Sequence, residues 1–226
     1  MTWRITGKYY DEHFSNVSLL LHGDGTNGST TIVDSSPNPK TVIALGNAQI
    51  STAQSKFGGS SLAFDGSGDY LSVATSADLG FGTGDFTIET WFWRADSGQQ
   101  HIYNGRRGTT VNTSLLYLNS STQLTYYADG AVRISSSSVP PANDWCHIAV
   151  CRGSGSTRLF LDGVQVGSTY SDSIDYAAPL VSLYLGCNDS AGGSFVSGYI
   201  DDLRVTKGVA RYTSNFTPPI APFPNY

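Results

Sequence analysis

Charge is scarce in this sequence. Only 14% of its 226 residues are charged, the net charge is −5, and the thirteen Lys and Arg are scattered apart from Arg106-Arg107. Nothing here can track a phosphate backbone, so nucleic acid is excluded as a partner. Long apolar runs are lacking too, and no stretch approaches the ~18 residues of a membrane span. Residues 1–13 have no apolar centre of the kind a secretory signal needs. The expectation is that a signal has been removed, or that the protein leaves its cell by another route. Cysteine is limited to Cys146, Cys151 and Cys187. The first two fall on one predicted strand about 16 Å apart, too far for a disulfide. No metal-type cysteine spacing occurs, which leaves three reduced, buried thiols. Glutamate occurs only at Glu12 and Glu89.

What the chain does contain is glycine, at 25 residues, and 13 tyrosines. Short strands between glycine turns fit this profile and long helices do not. At this length one all-β domain is the simplest organisation. The longest apolar alternation is Asp85-Phe86-Thr87-Ile88-Glu89-Thr90-Trp91-Phe92-Trp93. As a strand it places Phe86, Ile88, Thr90 and Phe92 on one face and Thr87, Glu89, Trp91 and Trp93 on the other. The first face reads as core. The second sets a carboxylate between large rings.

About fourteen strands are predicted along the chain, with no helix. Thr30–Val33 is a short strand. Thr41–Leu45 and Ala48–Ser51 form a hairpin around Gly46-Asn47, and Ser61–Phe64 and Tyr70–Val73 form another. Asp129-Gly130 and Asp162-Gly163 are two-residue hairpin turns. Residues 1–16 form an aromatic arm carrying Trp3, Tyr9, Tyr10 and Phe14, which either straps the domain or docks on another subunit. Residues 17–212 form the sandwich. Residues 213–226 form an extended tail with Pro218, Pro219, Pro222 and Pro224.

Four segments carry a family resemblance. Asp85–Trp91, Trp145-Cys146-His147-Ile148-Ala149-Val150, the hairpin Leu159–Gly167 and Gly198–Val205 resemble, in order, the strands of laminin-G-like, concanavalin A-like jelly rolls. The resemblance implies two stacked antiparallel sheets around one core. Phe14–His22 and Thr206–Tyr212 are further similar to laminin-G-like modules of tailed-bacteriophage virions. That similarity implies a structural or decorating protein on a tail fibre or capsid, with other virion proteins and further copies of itself as partners. It also implies a location on the phage particle or otherwise outside the cell. The alternative is an adhesion module for host-surface glycans, since fold alone does not fix function.

Catalysis is not expected. Concanavalin A-like glucanases place acids at alternating positions of one strand, whereas Glu89 is followed there by Trp91 and Trp93, which transfer no proton. No G-x-S-x-G elbow surrounds a serine. His147 reads as a structural histidine. For ligand binding, Glu89, Trp91 and Trp93 are the candidates, with Arg106 as a rim donor. Their alternative is packing beneath a loop or the arm. At most one structural calcium is expected at the sheet rim, through Asp34 or Asp201. Asp201 shares strand parity with Leu203 and Val205, which would turn it inward, where a charge needs a partner. Asp65 and Asp69 read as turn acceptors for backbone N–H groups.

Overall fold

In the computed structural model, residues 10–105, 113–188 and 193–226 are described in full, and residues 3–5 and 8–9 as backbone. The strands are β1 (Trp3–Ile5), β2 (Lys8–Tyr10), β3 (Val17–Leu21), β4 (Val42–Leu45), β5 (Gln49–Ser51), β6 (Ser61–Asp65), β7 (Tyr70–Ala74), β8 (Phe86–Arg94) and β9 (Gln100–Asn104). They continue as β10 (Ser114–Leu118), β11 (Leu124–Ala128), β12 (Ala131–Ser135), β13 (Trp145–Gly153), β14 (Ser156–Leu161), β15 (Val164–Ser171), β16 (Ser182–Leu185) and β17 (Ser197–Lys207). Among the described residues the only helical pieces are two 3-10 turns, at Phe14–Asn16 and Ala77–Leu79. None is long or apolar enough to cross a membrane.

Two antiparallel sheets stack on one another. The seven-stranded sheet runs β12-β11-β10-β9-β16-β7-β4. The eight-stranded sheet runs β15-β14-β13-β8-β17-β6-β5, with β3 paired to the second half of β17. β8 therefore lies mid-sheet, between β13 and β17. Its alternation sorts as the sequence implies. Phe86, Ile88 and Phe92 enter the core with Leu19, Leu71, Ile148 and Val205. Thr90 shares that face, and its hydroxyl donates to the Asp201 and Trp91 carbonyls.

The hairpins at Asp129-Gly130 and Asp162-Gly163 form as expected. The other two do not. β4 pairs with β7 and β5 with β6, so each expected hairpin is instead a corner where the chain changes sheet. One buried carboxylate fixes both corners: Asp69 accepts the Asn47 N–H at 2.7 Å and the Asp65 N–H at 2.9 Å. Thr30–Val33 is not a strand, contributing only the Thr31–Ile43 bridge. The three cysteines are buried free thiols, and burial pushes Cys151 up to about 12. Thiolate chemistry is therefore disfavoured at neutral pH.

Candidate functional site

The outer face of the eight-stranded sheet carries Glu89, Trp91 and Trp93 in a line along β8. At the Glu89 end this face is covered. Glu89 is fully buried and its Oε1 accepts from Arg204 Nε at 3.0 Å and Nη2 at 2.8 Å. Tyr212 donates its hydroxyl to Oε2 at 2.8 Å. His147 lies 3.4 Å away on β13. Arg204 also donates to Asp11 at 3.0 Å, and Arg211 grips both Asp11 oxygens at 3.0 and 2.7 Å. The Arg204 guanidinium lies 3.8 Å from the Phe223 ring centre. Two guanidiniums thus meet two carboxylates, drawn from Asp11, β8, β17 and the segment that follows β17. Burial opposes ionisation of Glu89, yet the Arg204 charge, with His147 and Arg211 beyond it, holds its carboxyl well below the usual range. A general acid at a glycosidic bond needs the opposite shift, so Glu89 is placed as a structural anion.

This cover corrects the binding role read for Glu89 and Trp91. Trp91 is only 5% exposed. Phe57 meets it edge-on at 6.0 Å, His147 at 5.2 Å, and the Lys56 ammonium sits 3.7 Å from its ring centre. Tyr212 and Phe216 stack at 3.5 Å over Phe160 and Ala149. Phe14 packs on Val17, Leu20 and Phe223. Residues 11–16 are therefore strapped to the sandwich, whereas Tyr10 is 45% exposed. The side chains of Trp3 and Tyr9, and all of Arg106, lie outside the described residues. A 480 Å³ cleft opens between residues 11–13 and the proline-rich tail. Its guanidiniums are already paired with Asp11 and Glu89.

Asp201 does not point inward. Asp202 adopts φ 46°, and the β17–β8 register slips between Asp201 and Arg204. The extra residue leaves Asp201 opposite Trp91 on the outer face and Arg204 opposite Glu89. Asp201 Oδ2 accepts the Lys56 and Phe57 N–H groups at 2.7 and 3.1 Å, while Oδ1 is buried without a partner. Burial, only partly offset by those two bonds, pushes Asp201 up to about 7. Asp202 is engaged elsewhere, by His22 Nδ1 at 2.5 Å and by the Phe223 N–H at 2.7 Å.

Of the two residues expected to hold calcium, Asp34 has no oxygen to spare: it is saturated by the Leu20, Ser36 and Lys40 N–H groups and the Ser36 hydroxyl. Among the described residues no three His, Cys, Asp or Glu converge as a metal site.

At the Trp93 end the same face is partly open. Trp93 pairs with Trp145 of β13 on one side and Tyr199 of β17 on the other. All three are half-buried, and the rings of Trp93 and Tyr199 meet edge-to-face at 5.2 Å. The row continues through Ala63 and Gln49. Gly198 makes the approach of β17 to β8 feasible: at φ 149° its missing Cβ would lie 2.1 Å from the Trp93 carbonyl oxygen. The sequence reading reached Trp93 but not Trp145 or Tyr199. Parity within each strand was visible, whereas the pairing register that aligns the three was not.

Two stacked antiparallel sheets of this strand order form a jelly-roll sandwich. The chain belongs to the concanavalin A-like lectin/glucanases superfamily, whose family model matches residues 65–211, well over half of it. Among solved structures it is similar to domain 4 of AbnA, an extracellular GH43 arabinanase from Geobacillus stearothermophilus, in complex with arabinotriose. There the identity is 16% and the TM-score 0.63, over 86% of this chain and 94% of that one. It is also similar to the binding domain of Paraclostridial Mosquitocidal Protein 1, at 16% identity and TM-score 0.64, over 88% of this chain and 50% of that one. A third is the binding domain of botulinum neurotoxin DC in complex with SialylT, at 13% identity and TM-score 0.61, over 87% and 49%. Such identities establish the fold alone, and this chain spans about half the length of the two toxin domains. Among curated proteins none matches it.

Proposed function

We propose that this chain is a non-catalytic carbohydrate-binding module that stacks a glycan on Trp145, Trp93 and Tyr199. The observation that carries the reading is the alignment of three half-buried rings, in register on three adjacent strands, facing solvent. Aromatic faces suit the apolar C–H faces of sugars, and large rings left partly open in a row call for a partner. The domains of similar fold seen with arabinotriose and with SialylT support this reading. Titration calorimetry against an oligosaccharide panel tests it. Trp93→Ala should weaken binding roughly tenfold or more, about 1.4 kcal/mol, with an unchanged circular dichroism spectrum. Binding unaffected by Trp93→Ala, Trp145→Ala and Tyr199→Ala would remove the reading.

A finer version places the module on a phage particle, displaying this face to host glycans outside the cell. It is supported by the likeness of the terminal motifs Phe14–His22 and Thr206–Tyr212, which the fold joins through Asn16, donating its side-chain amide to the Lys207 carbonyl at 3.1 Å. None of the relatives described above is a phage protein. In this version residues 1–10 form the docking arm, because Asp11 onward is bound to the sandwich. Deleting residues 1–9 should leave the melting temperature unchanged and abolish incorporation into particles. Normal incorporation would discard the docking role.

A further inference from the structure

Resting on the stacking role just proposed, we infer that the glycan is uncharged and lies across the strands, and that carboxylates around the row reject acidic sugars. Direction follows from the register. Trp145, Trp93 and Tyr199 sit side by side on neighbouring strands, which are about 4.8 Å apart. That step is close to the repeat of a pyranose chain, so a chain laid across the strands passes one ring per sugar, and of the edge-to-face pair Trp93 and Tyr199 one ring offers its face and the other its edge. Along β8 the same face is closed by Lys56 and Phe57 over Trp91, so a glycan cannot extend that way.

The charge preference follows from what borders the row. Asp144 precedes Trp145 and its Oδ1 accepts the Trp145 N–H at 2.8 Å, which fixes a carboxylate at that end. Asp65 lies two residues beyond Ala63 on the same face of β6, opposite Ser197. Asp96 follows the end of β8, its Oδ1 accepting the Ser97 N–H at 2.7 Å. All three are exposed. Their hydrogen-bond donors are neutral amides, and among the described residues none forms an ion pair. Among the described residues two cations lie near, and both are committed. Lys56 is seated on Trp91, and the Arg94 guanidinium donates to the Pro140 and Asp96 carbonyls. A uronate or sialate carboxylate would approach three uncompensated negative charges on a chain of net charge −5, through solvent that screens them only partly.

Calorimetry at low and at physiological salt separates the outcomes. The probes are neutral β-linked gluco- and manno-oligosaccharides, α-linked arabino-oligosaccharides, oligogalacturonate and a sialylated oligosaccharide. Neutral chains should bind. Acidic ones should bind roughly tenfold more weakly at low salt, with the gap narrowing as salt rises. The triple variant Asp65→Asn, Asp96→Asn, Asp144→Asn, checked for folding, should narrow the gap in the same way without improving neutral binding. An acidic ligand held as tightly as the neutral ones at low salt, and lost in Trp93→Ala, would overturn the neutral preference while sparing the stacking role. A gap unchanged in the triple variant would also overturn it. No binding by any of these probes would overturn the stacking role and this inference together.

Discussion

Two halves of one sheet face are built from the same strand and end in opposite states. Along β8 the outward residues are Glu89, Trp91 and Trp93. The Glu89 half is roofed by residues from both chain ends, and its charges are matched two against two. Among the described residues the Trp93 half carries no such clamp, and its rings stay half-buried. Alternation decides which face a residue occupies. Whether it can meet a ligand depends on what folds over it, and here the cover comes from separate parts of the sequence: Asp11, Lys56 with Phe57, and Arg204 to Phe216.

Breaking the roof should produce the largest effect. Arg204→Met removes the guanidinium that satisfies Glu89 and shares Asp11, leaving a fully buried carboxylate with Tyr212, His147 and the more distant Arg211, whose Nε lies 3.8 Å away. Loss of one partner from a buried ion pair costs about 3–5 kcal/mol, read as a lower urea midpoint. Adding Glu89→Gln should recover part of the loss, because the stranded charge is then gone. A single variant within 1 kcal/mol of wild type would mean that the roof does not depend on this clamp. Glycan binding at Trp93 should survive in any folded fraction, since the two halves share no partner.

Titration sharpens the contrast further. Burial opposes the charge on Asp11 as well, but its bonds to Arg211 and the Arg204 charge lower its pKa, as Arg204 does for Glu89. A depressed acid contributes stability that is present above its unfolded value, about 4, and is lost as pH falls through the folded one. The roof therefore weakens below about pH 4. At the bulge of β17 the sign reverses. Asp201 is pushed up to about 7, so its contribution is full below about 4 and is lost as pH rises to about 7. His22 follows the same direction: burial disfavours its charge, but the Asp202 carboxylate holds it above its ordinary value. Its contribution is present below about 6.5 and is lost as pH rises through the raised value. Asp201→Asn should therefore raise stability by about 2 kcal/mol at pH 8 and leave it nearly unchanged at pH 4.5. Melting curves at the two pH values check this. An equal shift at both would deny the buried proton.

Much of this was legible in the sequence, and its failures are local. The β8 alternation, the two Asp-Gly hairpins and the jelly roll follow from period, turn chemistry and motif order. The corners at Gly46-Asn47 and Gly66-Ser67 look like hairpin turns because glycine and polar residues signal a reversal. What redirects the strands to different sheets is Asp69, which reaches both corners at once. Asp201 was assigned to the wrong face because strict alternation fails at a bulge. The left-handed Asp202 that shifts the register has no local mark in the sequence. The arginines that bury Glu89 sit in the closing strand and just after it, and only the folded chain brings them to it.

Lys56 stands on the border between the halves, and removing it gives the smallest effect. Its ammonium lies 3.7 Å from the Trp91 ring centre, while its backbone N–H, with that of Phe57, is held by Asp201. Lys56→Ala keeps the backbone anchor and removes only the part of the roof that the side chain supplies. The cation–π contact is worth about 0.5–1 kcal/mol near a surface, so stability should fall by about that much. Trp91 would gain exposure, seen as a red shift in tryptophan emission and greater quenching by iodide. It lies two residues from Trp93 on the same outward face, so uncovering it adds a ring beside the row. A bulkier or branched neutral oligosaccharide should then bind slightly more tightly, while short linear ones remain unchanged. If Trp91 gains no exposure, Phe57 alone closes the covered half. If exposure rises without any change in binding, the ligand is confined to the row across β13, β8 and β17.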